Sequence, residues 1–282
     1  MKKRRDFSKN YLNVKNNDYK QSNKNSCKKE KPDVVNRYRK KNKTMKVLMI
    51  IPAYNEEESI LNTVLSIVKY RKKVDFELDY VVINDGSTDH TKEILDENGL
   101  NAVHLVMNLG IGGAVQTGYK YALENGYDVA VQFDGDGQHD ISSLASLLEP
   151  IRKNEADLVI GSRFVGNKVS EFQTTFMRRF GITIISAFIK CTTGQRILDT
   201  TSGYRLGNHK IIRQFAMRYP IKYPEPESIV HILKRKYRVV EAPANMFERS
   251  GGVSSITPIK SIRYMIEVCS SILISAFMKE SE

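Results

Sequence analysis

The sequence predicts an α/β fold with a mostly parallel central sheet and flanking helices. From residue 46 to about residue 163, short apolar runs that suit buried strands alternate with amphipathic runs that suit helices. Strands that alternate with helices of about 10–15 residues are typical of parallel sheets joined by right-handed crossovers. Three predicted strands run directly into Asp or into Gly-Ser-Arg. In such sheets ligands bind at the carboxyl ends of the strands, so we expect the site at that edge.

The predicted elements follow one another in a regular order. The first strand is the unbroken apolar run 46–51, which stops at Pro52. The helix after it, about 56–70, is indicated by apolar residues at helical spacing and by acidic residues in its first turn. By the same criteria the chain continues with strand 80–84, a helix that ends near 98, strand 102–107, helix 113–125, strand 129–133, helix 141–154 and strand 157–160.

Two long apolar segments follow the alternating part, at 176–191 and 262–278, and each has basic residues near an end. A loop is predicted before them, at 166–175. The two segments are open to two interpretations, which are ordinary core helices and amphipathic helices that lie in a membrane surface with basic ends toward lipid phosphates. We favour the second interpretation, because neither segment has an evident packing partner. No apolar run reaches the roughly 18 residues of a membrane span.

The positive charge of the chain lies in its first 44 residues. The net charge is +12, and residues 1–44 account for all of it with 16 Lys and Arg against 4 Asp and Glu. This Lys/Asn-rich tail is predicted to be disordered. A start codon set too far upstream is the alternative, since Met45 opens a segment that reads as a natural start. The neutral remainder argues against a specific nucleic-acid partner, because proteins that read nucleic acids carry basic residues on the fold itself.

The cysteines and the amino terminus indicate a cytoplasmic protein. Cys27, Cys191 and Cys269 lie far apart, which excludes a disulfide scaffold and a zinc module and fits a reducing compartment. No charged stretch near the amino terminus is followed by an apolar core, so no secretory signal is expected.

The strongest chemical feature is the run Asp134-Gly135-Asp136-Gly137-Gln138 at the end of a predicted buried strand. Alternate side chains of an extended chain point the same way, so Asp134 and Asp136 can aim at one divalent ion. The amide oxygen of Gln138 is a third donor. Mg²⁺ and Mn²⁺ prefer such oxygen ligands and leave positions open for phosphate oxygens. The sequence therefore predicts a magnesium or manganese site here.

Seven motifs in order resemble the family-2 glycosyltransferases, above all their polyprenyl-phosphate sugar synthase branch, typified by dolichol-phosphate mannose synthase. The resemblance covers about residues 46–256. The motifs are PAYNE (52–56), NDGSTD (84–89), NLGIGGAVQTG (108–118), DGDGQHD (134–140), GSRF (161–164), DTTSGYR (199–205) and ERSGGVSS (248–255).

The resemblance implies a GT-A fold over 45–256, a nucleotide-sugar donor and Mg²⁺ or Mn²⁺, with 257–282 as a C-terminal amphipathic segment. It also implies roles for single residues. The residues expected to frame the nucleotide are Pro52, Tyr54 and Glu56, with Asp85 at the base or ribose. The residues expected to hold the metal on the diphosphate are Asp134, Asp136 and Gln138. The residues expected near donor or acceptor phosphates are Arg163, Arg205, Arg249 and Ser254. The usual DDGS reads Asn84-Asp85-Gly86-Ser87 here, so one carboxylate is lost. This leaves the base open, with UDP favoured over GDP.

The nature of the acceptor decides whether the reaction needs a general base. An acceptor that attacks opposite the leaving nucleoside diphosphate gives inversion at the sugar. A phosphate monoester is already anionic near pH 7, whereas a sugar hydroxyl must lose a proton to a base. Either Glu225 or Glu227 is a candidate base, a helix-start acid or a group that orients the substrate. Glu227 is slightly favoured, because it precedes the helical run 228–236.

The sequence thus predicts an inverting, metal-dependent glycosyltransferase that moves a sugar to a polyprenyl phosphate. It would act as a peripheral protein at the cytoplasmic membrane face, and a small membrane-anchored partner protein is expected. The alternative is transfer to a hydroxyl of a lipid-linked or surface polysaccharide. The nature of the sugar is left open.

Overall fold

The computed structural model describes residues 44–166, 176–246 and 258–277. The strands in these ranges are β1 Lys46–Ala53, β2 Glu77–Asn84, β3 Ala102–His104, β4 Val129–Gln132, β5 Leu158–Ser162, β6 Arg205–Asn208 and β7 Val239–Pro243. The α-helices in the same ranges are α1 Ile60–Arg71, α2 Thr91–Glu97, α3 Gly110–Glu124, α4 Leu144–Arg152, α5 Phe176–Thr193, α6 His209–Met217, α7 Pro224–Lys234 and α8 Pro258–Phe277. The tail, most of the predicted loop 166–175, and Arg249 and Ser254 lie outside the described residues.

The strands form one sheet in the order β3-β2-β1-β4-β6-β5-β7. Neighbouring strands are parallel, except that β6 runs antiparallel to both β4 and β5. Helices cover both faces of the sheet, and the predicted α/β fold with a mostly parallel sheet is confirmed.

Strand β1 shows why the apolar pattern gives this architecture. Val47, Met49 and Ile51 pack into the core on one face of the sheet, while Leu48 and Ile50 pack into the core on the other. All five side chains are fully buried. A strand covered on both faces is apolar at every position, which is the run that the sequence displays.

Several element boundaries differ from the predicted ones. Helix α1 begins at Ile60 rather than at residue 56, because Asn55 adopts a left-handed conformation (φ 56°) and a turn precedes the helix. Strand β2 starts at Glu77, three residues earlier than predicted. Strand β3 ends at His104 rather than at residue 107, and Val106 is fully exposed. The chain leaves the sheet there in spite of its apolar sequence.

Helices α5 and α8 correct the expectation that the two apolar segments lack packing partners. They pack against each other and against α7. Ile185 and Ile189 of α5 and Val268 and Ile272 of α8 belong to the same core as α7. One side of each helix is therefore ordinary core, and only the side that stays exposed is available to contact a membrane. No helix within the described ranges combines the length and the apolar character that crossing a bilayer requires.

Candidate active site

The carboxyl ends of β1, β2 and β4 meet at one edge of the sheet. Ala53 pairs with Asn84 across β1 and β2, and the amide of Asp85 donates to the carbonyl of Ala53 at 2.9 Å. On the other side of β1, Ile50 pairs with Gln132. The segments that start at Tyr54, Asp85 and Phe133 therefore leave the sheet side by side, as the sequence predicts.

Strand β6 enters the sheet from the same edge in the opposite direction. Arg205, its first residue, pairs with Gln132 of β4 on one side and with Ile160 of β5 on the other. The loop 199–204 therefore lies beside Asp134. The site thus combines the ends of parallel strands with the start of an antiparallel strand.

Asp85 is almost completely buried at the end of β2. Its Oδ1 accepts a hydrogen bond from the amide of Leu109 at 2.7 Å. Burial raises the pKa of Asp85, and hydrogen bonds from the amides of Leu109 and Gly110 oppose that rise. Gly86 lies against the same loop, since a Cβ there would come within 2.8 Å of the amide nitrogen of Asn108. Asp85 thus anchors the start of α3, and its contact with a base or ribose stays a prediction.

The PAYNE segment borders an open cavity of about 740 Å³ between the start of α1 and the 133–141 loop. Tyr54 is 47% exposed, and Pro52 is buried at the end of β1. Glu56 accepts a hydrogen bond from Ser59 Oγ at 2.8 Å, which holds its side chain at the entrance to α1. The cavity walls include Tyr54 and Glu56 of the predicted nucleotide residues and Asp136 of the predicted metal residues.

The predicted metal residues lie on the loop that follows β4. About a third of the Asp134 side chain is exposed, and its Oδ2 accepts a hydrogen bond from His139 Nε2 at 3.0 Å. Asp136 is half-buried, and its Oδ1 accepts a hydrogen bond from the amide of Gln138 at 3.0 Å. Burial raises the pKa of Asp134, but the hydrogen bond from His139 and the charge of Arg205 outweigh it and leave the pKa below its ordinary value.

This donor set fits a hard divalent cation. Two ionised carboxylates and one amide oxygen are the ligands that Mg²⁺ and Mn²⁺ take, and substrate oxygens would complete the coordination. The described residues contain no cluster of three or more His, Cys, Asp and Glu that would enclose a metal ion. Two carboxylates and one amide oxygen would leave the remaining coordination positions of such a cation to other oxygens, such as those of a diphosphate.

Arg163, at the end of β5, forms a buried ion pair with Asp199. Its Nε and Nη2 donate to the two oxygens of Asp199 at 2.8 and 2.7 Å, and its backbone amide donates to Oδ2 at 3.0 Å. The two side chains are 4% and 0% exposed. The ion pair joins β5 to the 199–204 loop, and the predicted role of Arg163 toward a phosphate stays a prediction.

Arg205 is more deeply buried, at 1% exposure, and its charge acts on the carboxylates of Asp134 and Glu225. Its Nε donates to the carbonyl of Ser202 at 2.7 Å, and its Nη1 donates to the carbonyl of Glu225 at 2.7 Å and to Ser228 Oγ at 2.8 Å. The guanidinium therefore holds the start of α7 against the loop beside Asp134. Its predicted contact with a substrate phosphate stays a prediction.

Glu225, in the first turn of α7, faces the site. The pKa of its carboxyl is raised overall. Burial is the largest cause, the charge of Asp134 adds to it, and the opposing effect of the Arg205 charge is smaller. Residues two apart on a helix point to nearly opposite sides, so Glu227 faces away from the side that carries Glu225. The geometry therefore favours Glu225 over Glu227 as the candidate base.

Four residues of the site, Gln132, His139, Asp199 and Gly203, had no role assigned from the sequence. Gln132 is fully buried beneath the site, and its Oε1 accepts from Tyr219 OH at 3.1 Å. Asp199 and Gly203 belong to the DTTSGYR motif. The motif indicated that they matter, but it assigned no role to either residue. His139 follows the predicted metal residues within the DGDGQHD motif, and its Nε2 lies 3.0 Å from Asp134 Oδ2. Gln132 had no signal, because an isolated Gln in a predicted strand points to no particular chemistry.

Comparisons with known proteins agree with this geometry. Residues 49–218 match the sequence model of the family described as Glycosyl transferase family 2. An undecaprenyl-phosphate mannosyltransferase of Micrococcus luteus is 33% identical over 222 residues, which cover 76% of this chain and 88% of that protein. A UDP-N-acetylglucosamine–dolichyl-phosphate N-acetylglucosaminyltransferase of Methanococcus voltae is 30% identical, and the match covers 70% of this chain and 84% of that protein. A polyprenol monophosphomannose synthase of Mycolicibacterium smegmatis is 29% identical, with 76% and 82% covered.

A solved structure shows the same fold. Glucosyl-3-phosphoglycerate synthase of Mycobacterium tuberculosis, crystallised with Mn²⁺, UDP-glucose and phosphoglyceric acid, superposes with a TM-score of 0.60 at 16% identity. The match covers 84% of this chain and 81% of that one. The fold shared with this glycosyltransferase is the GT-A fold that the sequence predicts.

Proposed function

The chain belongs to glycosyl transferase family 2 and is a glycosyltransferase, and we propose that it moves one sugar from a nucleotide-sugar donor to a polyprenyl phosphate with inversion. The observation that carries the proposal is what its relatives have in common. The three relatives are named for mannose or N-acetylglucosamine, but all three names contain a polyprenyl-type phosphate. We therefore assign the same acceptor class to this chain, while the sugar is left open.

The residues at the carboxyl edge suit this reaction. When the bond from the sugar to the diphosphate breaks, negative charge builds on the leaving oxygens, and a divalent cation held by Asp134, Asp136 and Gln138 would stabilise that charge. Buried Arg205 adds a fixed positive charge beneath Asp134 and Glu225. An anionic lipid phosphate then needs little help to attack, because it carries no proton that must be removed first.

Glu225 provides the test between a phosphate and a hydroxyl acceptor. A carboxyl whose pKa is raised by burial beside Asp134 is suited to accept a proton, which favours transfer to a sugar hydroxyl as the second candidate. With a polyprenyl phosphate, we expect Glu225→Gln to keep transfer within about fivefold of the wild-type rate. With a hydroxyl acceptor, the loss of a general base costs about 10²–10⁴-fold.

The measurement is the transfer of radiolabelled sugar into solvent-extractable lipid, with polyprenyl phosphate and a lipid-linked sugar that offers a free hydroxyl as parallel acceptors. Glu227→Gln is the matched control, since it makes the same change on the opposite side of α7. Product from the lipid-linked sugar alone, lost in Glu225→Gln, would replace the phosphate proposal with the hydroxyl alternative.

A UDP-sugar is the donor that we propose in preference to a GDP-sugar. The Methanococcus voltae relative is named for a UDP-sugar, and the M. tuberculosis neighbour was crystallised with UDP-glucose. Asp85 lies at the end of β2 beside the 108–110 loop, where the family resemblance puts the base or ribose. The same support makes Mn²⁺ or Mg²⁺ the proposed cofactor.

The exposed side of α8 is the surface that we propose meets the membrane. Ile266, Leu273, Ile274 and Phe277 recur at helical spacing along this side and are 62%, 39%, 61% and 83% exposed. The neighbouring helix α5 adds Phe180, which is 52% exposed. The middle of α8 contacts the segment that leads into α7, because Lys222 pairs with Glu267 at 3.1 Å. Glu225 lies in the first turn of α7, a few residues further along the chain. A lipid surface at α8 would thus bring a membrane-bound acceptor close to the site.

Substitution on this stripe tests the membrane surface. We expect Ile274→Glu to reduce the fraction of protein that floats with anionic vesicles by at least about threefold, because a charge replaces apolar area that lipid would cover. Leu65→Glu is the matched control, since Leu65 is also exposed, at 51%, but lies on α1. Equal flotation of the two variants would contradict the assignment.

A position at the cytoplasmic membrane face, with a small membrane-anchored partner protein, completes the proposal. The exposed stripe on α8 could be covered by such a partner as well as by lipid. Full-rate synthesis of lipid-linked sugar by the purified chain, without other membrane protein, would remove the need for a partner.

A further inference from the structure

Asp134 is held by two neighbours whose contacts with it are unusually specific. His139 Nε2 lies 3.0 Å from Asp134 Oδ2. On another side, Gly203 lies so close that a Cβ on it would come within 2.3 Å of Oδ2 and 2.8 Å of Oδ1. Real Cβ atoms essentially never approach another heavy atom so closely. The carboxylate of Asp134 therefore occupies the space that a side chain at position 203 would need.

Position 203 requires a glycine because a side chain would collide with Asp134, and not because of its backbone conformation. Gly203 does not have a positive φ, so other residues could adopt its backbone conformation. Position 203 precedes Tyr204 and Arg205, both fully buried, which fixes the loop beside Asp134. The loop cannot retreat to admit a larger residue without moving these two side chains.

His139 is equally fixed. Its side chain is 3% exposed, and its ring lies 5.5 Å from the ring of Phe133 and 5.1 Å from the ring of Tyr204. A backbone bridge to Met246 holds the residue from outside. Because a carboxylate only accepts hydrogen bonds, Nε2 must be the donor to Asp134. Nδ1 has no hydrogen-bond partner in the described part of the chain, so the tautomer with its hydrogen on Nε2 leaves no buried N–H without a partner.

We infer that His139 and Gly203 are positioning residues that fix the orientation of the Asp134 carboxylate for the divalent cation. The inference rests on the proposed function, since it concerns the cation of the same site. A hydrogen bond to one carboxylate oxygen restricts how the group can turn, and the close backbone of Gly203 removes the space into which it could swing. Partners that orient a metal ligand in this way typically change metal affinity by about 10–100-fold when they are removed.

The test is direct binding of Mn²⁺ to the purified full chain, measured by the electron paramagnetic resonance of free Mn²⁺ without substrates. We expect His139→Phe, which fills the slot between the two aromatic rings but lacks the donor, to weaken Mn²⁺ binding about 10–100-fold. His139→Gln places an amide donor near the position of Nε2 and should recover binding to within a few-fold of wild type. Gly203→Ala should weaken binding in the same range, because its Cβ displaces the carboxylate.

Gly207→Ala separates this effect from general crowding. Gly207 lies on β6, close to Gly203 in sequence, and its Cβ would meet Ile211 Cγ2 at 2.6 Å, so the substitution strains the core without touching Asp134. We expect this variant to lower the Tm and to bind Mn²⁺ as the wild type does. In activity assays, His139→Phe should raise the Mn²⁺ concentration at half-maximal rate more than it lowers kcat at saturating Mn²⁺.

The outcomes distinguish this inference from the proposed function. Wild-type affinity in folded His139→Phe and Gly203→Ala, with binding lost in Asp134→Asn, would overturn the positioning role and leave the metal site standing. An equal loss of affinity in Gly207→Ala would also overturn it. Weak Mn²⁺ binding by the wild type that Asp134→Asn does not change would overturn both the inference and the proposed metal site.

Discussion

Asp136→Asn is expected to reduce sugar transfer by at least about a hundredfold while the chain stays folded. Asn keeps the shape of the side chain and an oxygen that can accept from the amide of Gln138, so the turn should persist. What is lost is one negative charge on a cation that stabilises the leaving diphosphate. Removing one electrostatic contribution of this kind typically costs about 10²–10³-fold in rate.

The measurement is the initial rate at saturating donor, with circular dichroism and Tm as the check on folding. Asp140→Asn is the matched control, because Asp140 borders the same cavity and caps the short helix Ile141–Ser143 through Ser142. Asn caps helices about as well as Asp does, so this variant should retain most of its activity. Retention of more than half of the wild-type rate in Asp136→Asn would contradict the metal site.

Asp199→Ala is expected to destabilise the fold more than the removal of any exposed charge. It leaves the Arg163 guanidinium buried at 4% exposure without its carboxylate, and the removal of one partner of a buried ion pair typically costs about 3–5 kcal/mol. For a folded unit of this size, such a loss lowers the Tm by roughly 10 °C.

Thermal unfolding compared with Asp75→Ala measures this effect against an exposed ion pair. Asp75 pairs with Arg152 at 2.7 Å, but its side chain is 77% exposed, so its removal should lower the Tm far less than Asp199→Ala does. Similar Tm values for the two variants would show that the buried pair contributes little. Asp199→Asn should fall between them, since an amide oxygen can still accept one of the hydrogen bonds from Arg163.

The central strands were predictable because their signal is local. Strand β1 is apolar at successive positions, and this run is long enough to identify a strand covered on both faces. Strand β6 reads Arg-Leu-Gly-Asn, which has no apolar run, and it exists because it pairs with both β4 and β5. No local pattern could have revealed it, since its strand partners lie about 45 to 80 positions away in the sequence.

The same distinction applies to the helices and to the site. The apolar character of α5 and α8 was visible, but their packing on α7 is a tertiary property, and so a membrane surface was favoured over an ordinary core position. Asp85 and Asp134 were predicted to converge because parallel strands end at one edge. The Arg163–Asp199 pair required the course of β6, and the choice between Glu225 and Glu227 required the rotation of α7.

The release of nucleoside diphosphate by the purified full chain tests the central claim most directly. A panel of UDP- and GDP-sugars would be incubated with Mn²⁺ or Mg²⁺, with and without short-chain polyprenyl phosphate, and repeated with native membranes. The account predicts release that requires the metal and the lipid phosphate together and is lost in Asp136→Asn. Release at the same rate without lipid phosphate, or only with a sugar-hydroxyl acceptor, would contradict it.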